Sequence, residues 1–414
     1  MIRHRGAKLL IAALIALVAA APVCGAARGA GQHPPTIVLI VIDGCPARSF
    51  DDLPKSSFLT TMREQAECGF SVIDTVFPSS TAAGHGAIFT GSYPQENGVT
   101  GKEYVRDDGE LGRFDSPSLI TGRTLFEVAH AVGLRTAMIS AKGNVRLMLS
   151  KDVDASVGPD AVPEWVLDTV GPPPDKATQY QDFSGWHRGL DQWVLNAAEA
   201  YLRQDSAPAF VGINLGSLDK LGHRYGPTPA EETLQTLISI DEGISGLVRT
   251  LDETCPGDWS LLVTADHGMT RVVNPILAND IVDAAVGGQA LVTLDGGVLY
   301  VWAEEGIDGL VQTLSGAEGV AEVIGPKDKE RRVALHIDNP RTPPLIAVAQ
   351  RGHMFIESEA FMEYTLGSHG TTIDSDVRVP IMLCGPRAAG VSLKGVNSVT
   401  QIAGIVESML GIER

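Results

Sequence analysis

The chain has 414 residues, with 50 acidic against 32 basic and a formal net charge of −18. That balance excludes a nucleic-acid duplex as partner, because a duplex needs a basic face. It also repels anionic substrates, so a phosphate site in this chain needs local cations, either metal ions or a few Lys and Arg.

The length allows one large α/β domain with insertions or two ordinary domains, and 44% hydrophobic residues suffice for a sizeable core. At the start, Arg3, Arg5 and Lys8 precede the apolar run Leu9–Ala21, and small residues follow at Ala19–Ala21 and Gly25–Ala27. The run is short for a span and has the layout of a secretory signal. Residues 1–27 are therefore assigned to a signal peptide cleaved within Ala20–Ala27, with an uncleaved anchor as the alternative. A lipoprotein reading of Cys24 lacks the small residue wanted in Pro22-Val23. No later run is long enough to cross a bilayer, so the mature protein is expected in the periplasm or secreted, without stable membrane insertion. An oxidising compartment permits disulfides among Cys45, Cys68, Cys255 and Cys384, and buried free thiols are equally open.

A Gly/Pro linker, Arg28–Pro35, leads to Thr36–Ile42, a continuous β-branched run typical of a strand buried on both faces. It ends in Asp43-Gly44, where α/β folds hold ligands. Pro54–Gln65 has helical spacing, and Gly69–Phe77 returns as a strand. Ser79, Ser80 and Thr81 then form a polar break before a short helix of small and apolar residues. A hydroxyl there faces free backbone N–H groups and the positive helix end, which favour phosphate. Ala82, Ala83, Gly84 and Gly86 leave room for a close approach; the competing reading is a well-capped helix packed on a sheet.

Ser92–Val105 reads as a loop, Thr124–Val132 as an amphipathic helix, and Arg135–Ser140 as a strand ending in Ala141-Lys142. Asp152–Tyr180 reads as an irregular excursion and Asp191–Leu202 as a helix. The strand Ala209–Leu215 runs into a segment holding Asp219 and His223, followed by the long helix Glu231–Leu251. The strand Ser260–Thr264 runs into Asp266-His267-Gly268. Between residues 272 and 364 the texture changes to short apolar segments around one helix-like stretch, Asp308–Leu314. This reads as an α+β insertion into a main domain of residues 28–271 and 365–414. Gly367–Thr371, the strand Val379–Leu383 and the helix Val399–Met409 close the chain. Strands alternating with helices predict an α/β fold with a doubly wound, mostly parallel sheet and helices on both faces.

Asp43, Thr81, Asp219, His223, Asp266, His267 and His369 all fall at strand ends. Singly, an Asp-x-x-x-His is more often chance than ligand, and an Asp-His pair more often structural. On one edge of a parallel sheet they converge, giving a donor set for two zinc-like divalent ions.

The pattern resembles the alkaline phosphatase superfamily, and within it the type I phosphodiesterase/nucleotide pyrophosphatase branch. The matching pieces are Val41–Gly44, Phe77–Thr81 with Thr90-Gly91, Asp219-x-x-Gly-His223 with Gly226-Pro227, Asp266–Met269 and Ser368–Gly370. The resemblance implies one metal held by Asp43, Thr81, Asp266 and His267, and another by Asp219, His223 and His369, with Thr81 as nucleophile. It implies a metal-dependent hydrolase acting on a small phosphodiester or nucleotide-like substrate through a phosphothreonine. Lys102 stands where the family's diesterases carry an Asn that holds a phosphate oxygen, and Lys142 matches one of the lysines that grip substrate in phosphonoacetate hydrolases. Those departures keep a C–P bond hydrolase and a phosphomonoesterase open as alternatives, with a non-catalytic binder of the same fold more remote.

Overall fold

Thr36–Ile42 forms the central strand, β1, buried along its whole length. The computed structural model describes residues 35–413 apart from 66–67, 205–207, 279–280, 283–289, 304 and 359–364. The expected signal peptide therefore lies outside the described residues.

After β1 come β2 (Gly69–Asp74), a small hairpin of β3 (Glu103–Val105) and β4 (Leu111–Arg113), then β5 (Thr136–Ser140) and β6 (Ala155–Val157). β7 (Phe210–Leu215) and β8 (Trp259–Thr264) follow, and both are fully buried. The second half adds β9 (Thr270–Arg271), β10 (Asn274–Leu277), β11 (Leu291–Asp295), β12 (Val298–Trp302), β13 (Val320–Ile324) and β14 (Leu345–Ala349). β15 (His353–Ile356), β16 (Gly367–Ser368) and β17 (Arg378–Cys384) complete the set.

The main sheet has the order β2-β17-β8-β1-β7-β5-β6. β17 runs antiparallel to both its neighbours, and the remaining neighbour pairs are parallel. In register, Ile42 faces Leu215 and Val41 faces Thr264, so the segments after β1, β7 and β8 leave the sheet at one edge. The predicted doubly wound α/β fold is the observed one. The helices Phe183–Leu202 and Glu231–Thr254 pack on each other, while Thr81–Thr90, Leu125–Ala131 and Ile402–Leu410 form a second group. Leu125–Ala131 starts with a capping box between Thr124 and Glu127, a local signal that fixes its first turn.

A second, four-stranded antiparallel sheet, β11-β12-β14-β13, has its own apolar cluster that includes Leu299, Val301, Leu310, Leu314 and Phe355. Another cluster joins Phe77, just before the Thr81 helix, to Val298 and Tyr300 of β12. The β11–β12 turn thus sits against the head of that helix.

Local structure departs from the sequence reading at several points. The helix expected over Asp191–Leu202 begins at Phe183, where the Asp182 carboxylate caps Gly185 N–H. The excursion Asp152–Tyr180 contains β6 and a short helix, Glu164–Thr169. Cys68 and Cys384 form a disulfide, whereas Cys45 and Cys255 are free.

Candidate metal centre

Asp43 is carried straight off β1 and is fully buried. Gly44 turns the chain with φ +70°, and its N–H donates to Asp266 Oδ1 at 3.1 Å. A Cβ on residue 44 would lie 2.9 Å from Asp219 Cα, so glycine is what lets the turns after β1 and β7 meet.

Thr81 is the first residue of its helix, and Ser80 is the N-cap. Neither hydroxyl caps the helix in the way the sequence implied. Ser79 Oγ donates to Thr371 O at 2.7 Å, and Ser80 makes no side-chain bond to the helix it caps. Thr81 Oγ1 stands 3.3 Å from Asp43 Oδ1, His267 Nε2 and Lys142 Nζ alike. The small residues of this helix do admit a close neighbour, which is the protein itself. A Cβ on Gly84 would lie 2.8 Å from the Asp266 carbonyl carbon.

The stretch after β7 is a helix, Ser217–Tyr225, so Asp219 and His223 share one face at i and i+4. Asp191 fixes its first turn by accepting from Gly216 N–H at 2.8 Å, Ser217 N–H at 3.0 Å and the Ser217 hydroxyl. Asp376 ties the other two loops together. It accepts from the Thr270 hydroxyl and from Thr371 N–H and Oγ1, and its carbonyl takes Gly268 N–H at 2.7 Å.

Each imidazole is oriented by a backbone carbonyl at Nδ1. His223 faces Gly367 O at 2.9 Å, His267 faces Gly268 O at 2.8 Å, and His369 faces Ser79 O at 3.1 Å. A carbonyl only accepts, so Nδ1 carries the hydrogen and Nε2 presents a lone pair. Those lone pairs point at carboxylate oxygens. His223 Nε2 lies 3.1 Å and His369 Nε2 3.6 Å from Asp219 Oδ1, and His267 Nε2 lies 3.5 Å from Asp43 Oδ1 and 3.6 Å from Asp266 Oδ2. Asp219 Oδ1 and Asp266 Oδ2 are buried without a hydrogen-bond partner. Lone pair facing carboxylate, with two orphaned oxygens, is the arrangement that cations between them would relieve. The donor set therefore fits divalent metal. Ligand-type atoms of Asp219, His223 and His369 lie within 4.8 Å of one another, as do those of Asp43, Asp219 and His267.

Burial opposes a charged His267, yet the Asp266 and Asp43 carboxylates overcome it and push the imidazole up to about 10. Burial, with His267 and His223 adding to it, drives His369 well down.

All seven side chains singled out in the sequence meet here. Lys142 joins them more intimately than expected, with Nζ 2.7 Å from Asp43 Oδ1 and 2.8 Å from Asp219 Oδ2. Lys102 stands in the wall of the adjoining cavity and donates to Leu294 O at 3.2 Å. That cavity, about 760 Å³, is lined by Thr81, Lys142, Asp219, Lys220, His223 and His369, and by Lys102, Leu294, Asp295 and Phe355. Arg146 is engaged elsewhere, paired with Asp160 at 2.8 Å.

Sequence reasoning passed over His85 and Asn214. His85 is fully buried, 2.9 Å from Thr81 O and 3.2 Å from Asp266 Oδ2, and Asn214 Nδ2 reaches Asp43 Oδ2 at 3.2 Å. His85 lies one helical turn after Thr81, which was the available signal. Asn214 alternates into a strand that reads as apolar, and nothing marked it.

Comparison with known proteins follows the same direction. The family described as type I phosphodiesterase/nucleotide pyrophosphatase matches residues 37–372. Alkaline phosphatase PhoV of Synechococcus elongatus is 35% identical over 72 residues, 17% of this chain and 13% of that protein. Ectonucleotide pyrophosphatase/phosphodiesterase family member 7 of Homo sapiens is 23% identical over 239 residues, 54% of this chain and 49% of that protein. The chain thus matches no more than about half the length of these curated relatives. The crystal structure of phosphonoacetate hydrolase from Sinorhizobium meliloti 1021 in complex with phosphonoacetate superposes with a TM-score of 0.71 at 19% identity, covering 91% of this chain and 96% of that one. At that identity the likeness speaks to the fold.

Proposed function

The chain belongs to the type I phosphodiesterase/nucleotide pyrophosphatase family, and on that premise we propose that it is a secreted, metal-dependent phosphohydrolase cleaving phosphodiester or nucleotide-like phosphate esters through a phosphothreonine on Thr81. The observation that carries this reading is the Thr81 hydroxyl, 3.3 Å from both Asp43 Oδ1 and His267 Nε2, beside two buried carboxylate oxygens that lack partners.

In this reading Asp43, Thr81, Asp266 and His267 hold one divalent ion and Asp219, His223 and His369 hold another, most simply zinc for this mixed nitrogen and oxygen set. Bound there, the two ions supply charge neutralisation and lower the pKa of the Thr81 hydroxyl. Thr81 Oγ1 attacks phosphorus, the bond to the leaving oxygen breaks with its electron pair, and water then hydrolyses the phosphothreonine and restores the hydroxyl. The positive end of the Thr81–Thr90 helix favours charge on the transferred phosphate. Lys142 and Lys102 are the substrate-side donors, each able to take a phosphoryl oxygen. Secretion is supported by the Cys68–Cys384 disulfide, which an oxidising compartment maintains. Among the described residues no helix is long and apolar enough to cross a membrane.

A second reading is a phosphonate or phosphomonoester hydrolase. It is favoured by the lysines: Lys102 and Lys142 both line the cavity, and two ammonium groups suit a dianion. Assay of bis(p-nitrophenyl) phosphate, p-nitrophenyl phosphate and phosphonoacetate side by side decides between them. The diester is expected to turn over fastest; phosphate release from phosphonoacetate alone would assign the enzyme to C–P cleavage.

A further inference from the structure

Asp219 divides its carboxylate between two neighbourhoods. Oδ1 faces the imidazoles of His223 and His369, and Oδ2 accepts from Lys142 at 2.8 Å and has the Lys220 ammonium at 3.3 Å as a second ion-pair partner. Asp43 has no such division. Lys142 Nζ takes Oδ1, the oxygen that also faces His267 Nε2 and receives the Thr81 hydroxyl, while Asn214 holds Oδ2. The lysine is built into this position. Ser140 Oγ accepts the Lys142 N–H at 3.1 Å and stands 2.8 Å from Lys142 O and 3.1 Å from Asn214 Oδ1, its single hydrogen serving one of these two acceptors. Its stem runs over Gly216, with Cγ 3.3 Å from where a Cβ on that residue would stand. The Lys142 side chain is 12% exposed and lines the cavity beside Thr81.

The two corners of the centre are therefore unequal toward a divalent ion. At the Asp219–His223–His369 corner the free carboxylate oxygen and both imidazole lone pairs are open while Lys142 stays where it is. At the Asp43–Asp266–His267 corner Asp266 Oδ2 is likewise free, but a cation already sits on Asp43 Oδ1, the oxygen that faces both His267 and Thr81. We propose that Lys142 is the resident cation of the Asp43 corner, so that metal loads the Asp219–His223–His369 corner first and the Asp43 corner only as the Lys142 ammonium is displaced toward the cavity. The displaced ammonium is then the group that meets the substrate's phosphoryl oxygen, which couples completion of the centre to completion of the substrate pocket. This rests on the two-ion reading above.

The test is the zinc-binding isotherm of the metal-free full-length protein, measured against a chelating indicator, for the wild type, Lys142→Met and Lys220→Met. Methionine keeps the stem over Gly216 and removes the charge. The wild type is expected to show a tight and a weak class. Apparent affinity falls by the fraction of molecules ready to bind, so Lys142→Met should tighten the weak class by about tenfold or more and leave the tight class within about twofold. Lys220→Met, which removes a cation from Asp219 Oδ2 alone, should keep the gap. Melting curves establish that each variant is folded, and Lys142→Gln serves if the methionine variant is not. Two bound ions with the same gap in Lys142→Met and in the wild type overturn the Lys142 assignment and leave the metal centre standing. A protein that binds no zinc overturns both.

Discussion

Thr81 and the lysines around it make separable predictions. If Thr81 Oγ1 is the nucleophile, Thr81→Ala removes the attacking atom but only one oxygen near the centre, so turnover of nitrophenyl esters should fall by at least about a thousandfold while most metal is retained, as judged by metal analysis of the same sample. Undiminished turnover would remove Thr81 from the chemistry. Lys102 stands in the cavity wall on the Leu294 carbonyl rather than in the carboxylate cluster. Lys102→Asn should raise the ratio of diester to monoester kcat/KM, and an unchanged ratio would mean that Lys102 does not meet the phosphate. Asp191 gives a pH signature. Burial pushes it up to about 6 from its ordinary 3.8, against the bonds from Ser217 and Gly216. The folded protein then binds this proton more tightly than the unfolded chain, so the contribution is greatest below about pH 4 and is lost as pH rises through about 6. Relative to Asp191→Asn, wild-type stability in denaturant should fall by about 3 kcal/mol between those limits; a constant difference between the two proteins would contradict it.

The elements that carry the site differ in how plainly the sequence announces them. β1 is a near-continuous apolar run, β7 and β8 are mostly apolar, and all three are buried end to end, so pattern and structure agree. The Ser217–Tyr225 helix is harder to read. Its Gly222 and its length of 9 residues weaken the helical signal, and what holds its first turn is Asp191, distant in sequence. Asp376 is invisible for the same reason: its partners Thr270, Thr371 and Gly268 come together only in the fold. The Thr81–Thr90 helix was legible, but the purpose of its glycines was not, since Gly84 lies against the Asp266 backbone and Gly86 against Val99. Gly84→Ala should therefore cost about 1–3 kcal/mol by overpacking and lower metal content as Asp266 shifts. Gly404→Ala, in the Ile402–Leu410 helix where a Cβ meets nothing within 4 Å, should instead be neutral or stabilising by about 0.5–1 kcal/mol. Equal melting temperatures for the two variants would contradict the argument.

At the scale of the molecule, Lys102, Arg113, Lys142 and Lys220 line one cavity in a chain of net charge −18, the local cations that the proposed anionic substrate needs. We propose residues 272–364 as an inserted subdomain whose β11–β12 turn borders that cavity, since Leu294, Asp295 and Gly296 line it and Gly297 N–H donates to His369 O at 2.8 Å. Composition alone marked the change of texture there, but not that its turn would brace the His369 loop. The Cys68–Cys384 disulfide ties β2 to the end of β17 across 316 positions, a pairing that no spacing rule reveals. Cys68→Ser with Cys384→Ser should lower stability by about 2–5 kcal/mol, read from denaturant unfolding of the oxidised protein. The whole reading depends on carboxylates and imidazoles from distant strand ends enclosing metal beside Thr81, and metal analysis of the protein purified without chelator tests this most directly. About two zinc per chain are expected, removed by chelator together with phosphodiesterase activity; a chain that is folded and active with no bound metal would contradict it.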